Sequence, residues 1–436
     1  MQVLKFGGTS VGSATRMKEV AELINDKHRK IVVLSAMSGT TNSLVEIAKC
    51  LYKKDNKGAS GVINKLEEKY YIEIDNLLTS DAYKQKGREL IESHFSYLKS
   101  FTVDLFTSHE EKAILAQGEL LSTAMFQFYL EEIGRQSILL PALDYMRTDV
   151  NQEPDVAYIR ENLTKILEPY SAIPVFITQG YICRNAFGEI DNLQRGGSDY
   201  SASLIGAAIK ADEIQIWTDI DGMHNNDPRI VEGTKSISDL SFEEAAELAY
   251  FGAKILHPTC VLPAKVENIP VRLLNTMEPK APGTLISSKQ IKGRIAAIAA
   301  KDGITAIKIK SGRMLLAYGF LRKVFEIFES YKTPIDMIST SEVGVSVSID
   351  NDAYLEQIVD DLKKFGTVEV DRDQVIICVV GDLVASTKGN ANRIFEALKD
   401  IPIRMISYGG SNFNVSMLVH ADDKKAALNA LSRQLF

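Results

Sequence analysis

Up to about residue 293 the chain alternates two rhythms of apolar positions. Short apolar runs such as "VLKF" and "IVVLSA" are each followed by apolar residues at helical spacing: Met17, Val20, Ala21 and Ile24 after the first, Leu44, Val45, Ala48 and Leu51 after the second. A brief apolar run bounded by turn residues suits a buried strand, and recurrence every three or four residues suits one face of a helix. Strand and helix in alternation predict an α/β sheet with helices on both faces. Residues 59–136 read as helix-rich, and "SILLPA", "IPVFITQGYI", "EIQIWTDI" and "PVRLLN" then resume the strands. One α/β domain over residues 1–293 accounts for this stretch. It ends in "TMEPKAPGTLISSKQIKGR", which has turn-formers and lysines but no periodicity.

Beyond that boundary the pattern repeats. "VFEIFESYKTPIDMISTSEVGVSVSID" (Val324–Asp350) and "IFEALKDIPIRMISYGGSNFNVSMLVH" (Ile394–His420) share a helix, a short turn, a strand with "MIS" and an alternating strand, in one order. This predicts two copies of one α+β unit, 294–373 and 374–436, with the first strand of the earlier copy a candidate for sharing with the later.

Length and charge narrow the picture. A chain of 436 residues allows two or three domains. Acidic residues outnumber basic ones 57 to 50, and the resulting charge of −7 gives no general attraction to nucleic acid or anionic membrane. Cys50, Cys183, Cys260 and Cys378 have no metal-ligand spacing, so they read as reduced core thiols and no metal site is expected. Neither a signal-like apolar region nor a run of about 18 apolar residues occurs, so a soluble, cytoplasmic protein is expected.

Several short segments carry chemistry. "KFGGTSVG" (Lys5–Gly12) sets a cation, glycines and hydroxyls behind the first strand, where free N–H groups suit an anion; Gly7 and Gly8 let the backbone come close and Lys5 adds charge. A tight turn needing glycine dihedrals explains the same residues. "RGGSD" places Arg195, Gly196, Gly197, Ser198 and Asp199 before an alanine-rich helix. Ser198 or Asp199 can cap that helix, whereas Arg195 can grip a carboxylate with two parallel bonds. "WTDIDGMHNNDPR" ends a strand, and Thr218, Asp219 and Arg229 suit a nucleotide loop as well as ordinary turns. Glu119 in "AQGELLSTAMF" is either a helix-surface carboxylate or a partner for an ammonium group. Lys254 in "FGAKILHP" suits a helix end or a phosphate, and Ser35, Ser38, Thr40 and Thr41 in "LSAMSGTTN" suit helix capping or the rim of a cleft.

Taken in order, "KFGGTSVG", "LSAMSGTTN", "GELLST", "TQGY", "RGGSD", "WTDIDG", "NDPR" and "FGAKILHP" resemble the aspartate kinases of the amino-acid kinase family, and the duplicated tail resembles their paired ACT domains, which are ferredoxin-like. The resemblance implies transfer of the ATP γ-phosphoryl to the β-carboxylate of L-aspartate, the step that opens the route to lysine, threonine and methionine. It implies catalytic roles for Lys5 and Asp199. ATP contacts fall on Lys5, Gly7, Gly8, Thr218, Asp219, His224, Arg229 and Lys254, with magnesium arriving on the nucleotide. Aspartate contacts fall on Ser35, Thr41, Glu119, Arg195, Gly196 and Ser198. His224 stands where relatives usually carry tyrosine. Other amino-acid kinases, or a sensor without catalysis, are the competing readings.

In the tail, "RMLLAYGFLRKVF" leads into a helix whose free N–H groups suit a ligand carboxylate, and "PIDMISTSEVG" offers carboxylates to a ligand with two ammonium groups. The resemblance implies an L-lysine site built from Met314, Ala317, Gly319, Phe320, Leu321, Pro334, Ile335, Asp336, Thr340, Ser341 and Glu342. Ala317 replaces a hydroxyl often found there and Pro334 constrains the start of the strand, which leaves threonine or a dual effector open. Solvated edge charges explain Asp336 and Glu342 equally simply. A homodimer through the tail is expected, with a tetramer open.

Overall fold

The computed structural model describes residues 1–103, 106–193, 196–252, 257–311, 318–382 and 387–436. They fall into two units, Met1–Met223 with Ile255–Ser288, and His224–Lys254 with Lys289–Phe436. Segment 224–254, expected within a 1–293 domain, is thus grouped with the tail.

The first unit runs β1 (Gln2–Phe6), α1 (Ala14–Leu23), β2 (Lys30–Leu34), α2 (Thr40–Tyr52), α3 (Asn56–Leu77), α4 (Asp81–Ser100), α5 (Ser108–Glu132), β3 (Ser137–Leu140), α6 (Val156–Leu167) and β4 (Val175–Gln179). A small hairpin follows, β5 (Ile182–Arg184) and β6 (Ile190–Asn192), and then α7 (Gly197–Ile209) and β7 (Ile214–Thr218). In the second unit lie β8 (Asp239–Ser241) and α8 (Phe242–Tyr250); the chain then returns to the first for α9 (Pro258–Val266), β9 (Val271–Asn275) and β10 (Thr284–Ser287).

The strands of the first unit lie in the order β3-β4-β2-β1-β7-β9-β10, parallel except for β10. β2 and β4 are buried at every position, as strands covered on both faces must be. On one face Leu4, Phe6, Val32 and Leu34 join the core of α1 to α5. On the other, α7 packs across β1, β2 and β7, and its sequence GSDYSASLIGAAI offers small side chains that let it come close.

The tail holds β11 (Ile295–Lys310), α10 (Phe320–Ser330), β12 (Met337–Ser341), β13 (Gly344–Ile349), α11 (Leu355–Leu362), β14 (Thr367–Gly381), α12 (Asn390–Ala397), β15 (Met405–Tyr408), β16 (Asn414–His420) and α13 (Lys424–Leu435). One sheet contains all the strands, in the order β12-β13-β11-β14-β16-β15. The long strands β11 and β14 are antiparallel along their whole length and divide between the repeats. The later half of β11 pairs β13 and packs with α10 and α11, whereas Ile298 in its earlier half joins the core of α12 and α13. The later repeat therefore takes its fourth strand, the early half of β11, from the earlier one, whose own fourth strand is the early half of β14. Two bulges, between Lys301 and Ile304 and between Ile304 and Ala306, mark the division.

Candidate active site

The carboxyl ends of β4, β2, β1 and β7 lie side by side, and the loops leaving them meet at one edge of the sheet, where α/β proteins bind ligands. A cleft of about 480 Å³ opens there. Gly8, Ser35, Thr41, Glu119, Ser198 and Asp219, singled out from the sequence, line it. Thr9, Met37, Ser38, Gly39, Asn42, Tyr181 and Gly197 line it as well. Of these, Ser38 was named from the sequence for the rim of a cleft and Gly197 within "RGGSD"; the others were passed over as site residues, although each stands inside or beside a motif already quoted, so the signal was present and only the side-chain directions were missing.

β1 alternates, sending Leu4 and Phe6 into the core and Lys5 toward α7. Lys5 Nζ lies 2.6 Å from Asp199 Oδ1, and the two side chains are only 11% and 18% exposed. Asp199 sits in the first turn of α7 with Ser198, whose Oγ accepts the Ser35 hydroxyl at 2.9 Å. Neither residue caps the helix. The N-cap is Gly196, at φ +73°, and a side chain there would run into Cys260.

The two loops on β1 and β2 touch. A Cβ on Gly8 would stand 3.0 Å from the Ala36 carbonyl, which is why this position has no side chain. The helix behind the glycine loop begins only at Ala14, with Ser13 as its N-cap, and within the loop the Gly7 N–H donates to the Trp217 carbonyl at 3.3 Å while those of Ser10 and Val11 turn back onto the Gly7 carbonyl. Gly180 of "TQGY" has a similar reason, because a Cβ would collide with Ser198. Tyr181 follows it at φ +67°, a conformation rare for an aromatic residue, with its N–H donating to Ser201 Oγ at 2.8 Å.

Glu119 is not on a helix surface: it is 4% exposed, and its Oε1 accepts the Ala36 N–H at 3.2 Å. Burial pushes its carboxyl up to about 7. Among the described residues no cation forms a salt bridge with it. Thr218 bonds the Ile220 N–H through its hydroxyl at 3.1 Å, which holds the turn that presents Asp219.

His224 and Arg229 belong to the second unit. The His224 imidazole meets Thr234 Oγ1 at 3.2 Å. Arg229 forks onto Asp227, Nε to Oδ1 at 2.9 Å and Nη2 to Oδ2 at 2.8 Å, and these bonds hold the Asp227 carboxyl below the usual range; the guanidinium remains largely exposed. Arg195 and Lys254 lie outside the described residues, as do Met314 and Ala317. The four cysteines carry free thiols, and burial pushes that of Cys183 up to about 12.

The tail residues do not gather within the chain. Ser341 pairs with Gly344 and so lies at the Lys310 end of the sheet, with Thr340 and Glu342 beside it. Asp336 lies beyond Met337 at the other end, about 17 Å away along an extended strand. Its Oδ1 accepts Lys301 Nζ at 2.6 Å and the Tyr250 hydroxyl at 3.0 Å. Pro334 and Ile335 precede it in the turn, and Gly319, Phe320 and Leu321 open α10, with Gly319 at φ +81° as N-cap.

The amino acid kinase family profile matches residues 1–275, and an ACT domain profile matches residues 377–435. The lysine-sensitive aspartokinase 3 of Escherichia coli is 32% identical, in a match covering 100% of this chain and 99% of that one. The structure of E. coli aspartokinase III with aspartate and ADP superimposes with a TM-score of 0.87 at 32% identity, covering 100% of both chains. The same enzyme with lysine and aspartate gives 0.83 at 32%, covering 100% of this chain and 99% of that one. A strand-end cleft on an α/β sheet, a second sheet built of two repeats and end-to-end similarity agree: the chain belongs to the amino acid kinase family and, within it, to the aspartokinases.

Proposed function

We infer that the chain transfers the γ-phosphoryl group of ATP to the β-carboxylate of L-aspartate, giving 4-phospho-L-aspartate and ADP. The observation that carries this reading is the meeting of the Lys5–Asp199 pair and the buried Glu119 at the same edge of the sheet. Donor and acceptor are both anions, so catalysis is positioning plus charge stabilisation. A carboxylate oxygen of aspartate attacks the γ-phosphorus and the bond to the β,γ-bridging oxygen breaks, leaving its electrons on ADP. Lys5 and the glycine-loop N–H beyond Gly7, at Gly8, are assigned to the transferring charge, and Asp199 holds the Lys5 ammonium in place until phosphate competes for it. Glu119 takes the substrate ammonium and Arg195 its α-carboxylate, while the hydroxyls of Ser35, Thr41 and Ser198 fix the remaining contacts. Thr218, Asp219, His224, Arg229 and Lys254 are assigned to the nucleotide. Magnesium fits as an ion brought by ATP, since Asp199 and Asp219 are fewer carboxylates than a protein cage uses; it would neutralise phosphate charge.

The tail is assigned to feedback by L-lysine, as the relation to a lysine-sensitive aspartokinase suggests. β12 is an edge strand with four exposed residues. An antiparallel copy of it would set the partner's Asp336 end beside Thr340, Ser341 and Glu342, so that a homodimer completes what one chain leaves apart. Free thiols suit a reducing cytoplasm. Incubation with magnesium ATP and a panel of amino acids, with hydroxylamine to trap acyl phosphate, tests the reaction. A hydroxamate from aspartate and not from glutamate or acetylglutamate is expected, and no hydroxamate from aspartate overturns it.

A further inference from the structure

Helix α3 contains none of the sequence motifs, yet three of its residues reach the loops that line the cleft. Tyr70 is fully buried, and its hydroxyl shares a hydrogen bond of 3.0 Å with Thr40 Oγ1, which is also fully buried. Thr40 opens α2, and its neighbours Gly39, Thr41 and Asn42 line the cleft. Beside Tyr70, Lys69 Nζ donates to the Ser38 carbonyl at 2.6 Å. One turn further along α3, Glu73 Oε2 accepts the Ala14 N–H at 2.7 Å. Ala14 is the first residue of α1 and ends the glycine loop, and a carboxylate is favoured at that helix terminus.

None of these three side chains lines the cleft. They hold the backs of its loops, the one on β1 through Ala14 and the one on β2 through Ser38 and Thr40. Both loops are soft where glycine stands, Gly39 being at φ +80°. Donor and acceptor must nonetheless be held to a fraction of an ångström, because a misplacement of about 1 Å can cost about a hundredfold in rate.

We propose that Lys69, Tyr70 and Glu73 are positioning residues, through which α3 braces the Lys5–Gly12 loop and the Ser35–Thr41 loop at a fixed spacing. The kinetic part of this inference rests on the phosphoryl-transfer reading; the structural part does not. Hydrogen exchange on the full chain tests the latter directly. Tyr70→Phe and Thr40→Val are expected to speed amide exchange over residues 36–43 about fivefold or more, since each removes one buried hydrogen bond. In the kinase assay each should lower kcat/KM for aspartate about tenfold, and the double variant should lose no more than either alone, since both cut the same bond. Lys69→Met should act likewise, and Glu73→Ala should lower kcat/KM similarly but speed exchange at the Ala14 amide, whereas Lys69→Arg and Glu73→Gln, which keep a donor and an acceptor, should restore parent values. A parent that makes no acyl phosphate from aspartate refutes the function and leaves the exchange result to decide the brace. Parental exchange and parental kcat/KM in folded Tyr70→Phe overturn the brace even if its melting temperature falls. Should Tyr70→Phe not fold, Thr40→Val and Lys69→Met carry the same test.

Discussion

The cleft and the tail use their polar residues in opposite ways. In the cleft, loops from four adjacent strands converge because parallel strands all end on one side, so residues as far apart as Ser35 and Ser198 come within 2.9 Å. In the tail, the antiparallel edge strand β12 sends Asp336 and Ser341 to opposite ends of the sheet. Parallel topology gathers polar residues into one cleft within the chain, and an antiparallel edge strand keeps its two ends apart.

The largest effect that can break this contrast is at Lys5. Lys5→Ala should lower turnover by at least about a hundredfold, the scale for removing one preorganised charge, with the fold kept. Near-normal turnover with a normal melting curve would mean that the convergence has no catalytic meaning.

Glu119 sharpens it next. With its carboxyl raised to about 7, the group is mostly neutral below that pH and cannot pair with an ammonium. The KM for aspartate should therefore rise as pH falls through 7, and Glu119→Gln should have a KM about tenfold higher with that dependence gone. The sign for stability is the reverse. A folded-state value above the unfolded one favours the fold below about pH 4.5, and that contribution is lost as pH rises through 7. Melting curves of the substrate-free enzyme and of Glu119→Gln across this window measure it, and a parallel pH course in the two removes Glu119 from the account.

At the tail, Ile338→Asp places a charge in the exposed strand β12, where Ile338 is 45% exposed. Light scattering should show monomers, and inhibition by lysine should be lost while uninhibited turnover stays within about twofold. A variant that remains dimeric and lysine-sensitive would show that β12 is not the joint. The smallest effect is at Asp336. Asp336→Asn weakens its bond to Lys301, at a cost of about 2 kcal/mol measured by denaturant unfolding, and raises the inhibitory lysine concentration a few-fold. Because the Asp336 side chain is only 3% exposed, it is not the solvated edge charge that the sequence allows, and parental values for both would mean that its ion pair serves neither stability nor lysine binding.

Much of the cleft was legible because its residue types are forced. Gly8 and Gly180 must lack a side chain where another loop passes, and such glycines stand out in a sequence. Asp199 beside Lys5 was legible as a pair of motifs, though not as a contact. The brace on α3 was not legible, because Tyr70, Lys69 and Glu73 look like any helix whose partners lie 30, 31 and 59 residues away. Nor was the allegiance of residues 224–254: α8 has the same amphipathic pattern and the same Ser241–Glu244 capping box whichever unit it joins. The shared strands were read only as an option, since alternation in β11 specifies a face and not a partner.

Those shared strands also constrain how the tail comes together. Ile295 pairs with Gly381 and Lys310 with Thr367, so the central ladder joins positions 57 to 86 residues apart (367 − 310 and 381 − 295). Loop closure over such distances precedes the reward of pairing, which slows folding. The earlier repeat, though synthesised first, gains its fourth strand only once Thr367–Asp371 has emerged, and Ile298 waits longer still for the helices at the chain's end. The later repeat has no complete sheet without the early half of β11, which belongs to the earlier one, so a break in the chain at 373–374 separates it from its fourth strand and cuts the long strand β14.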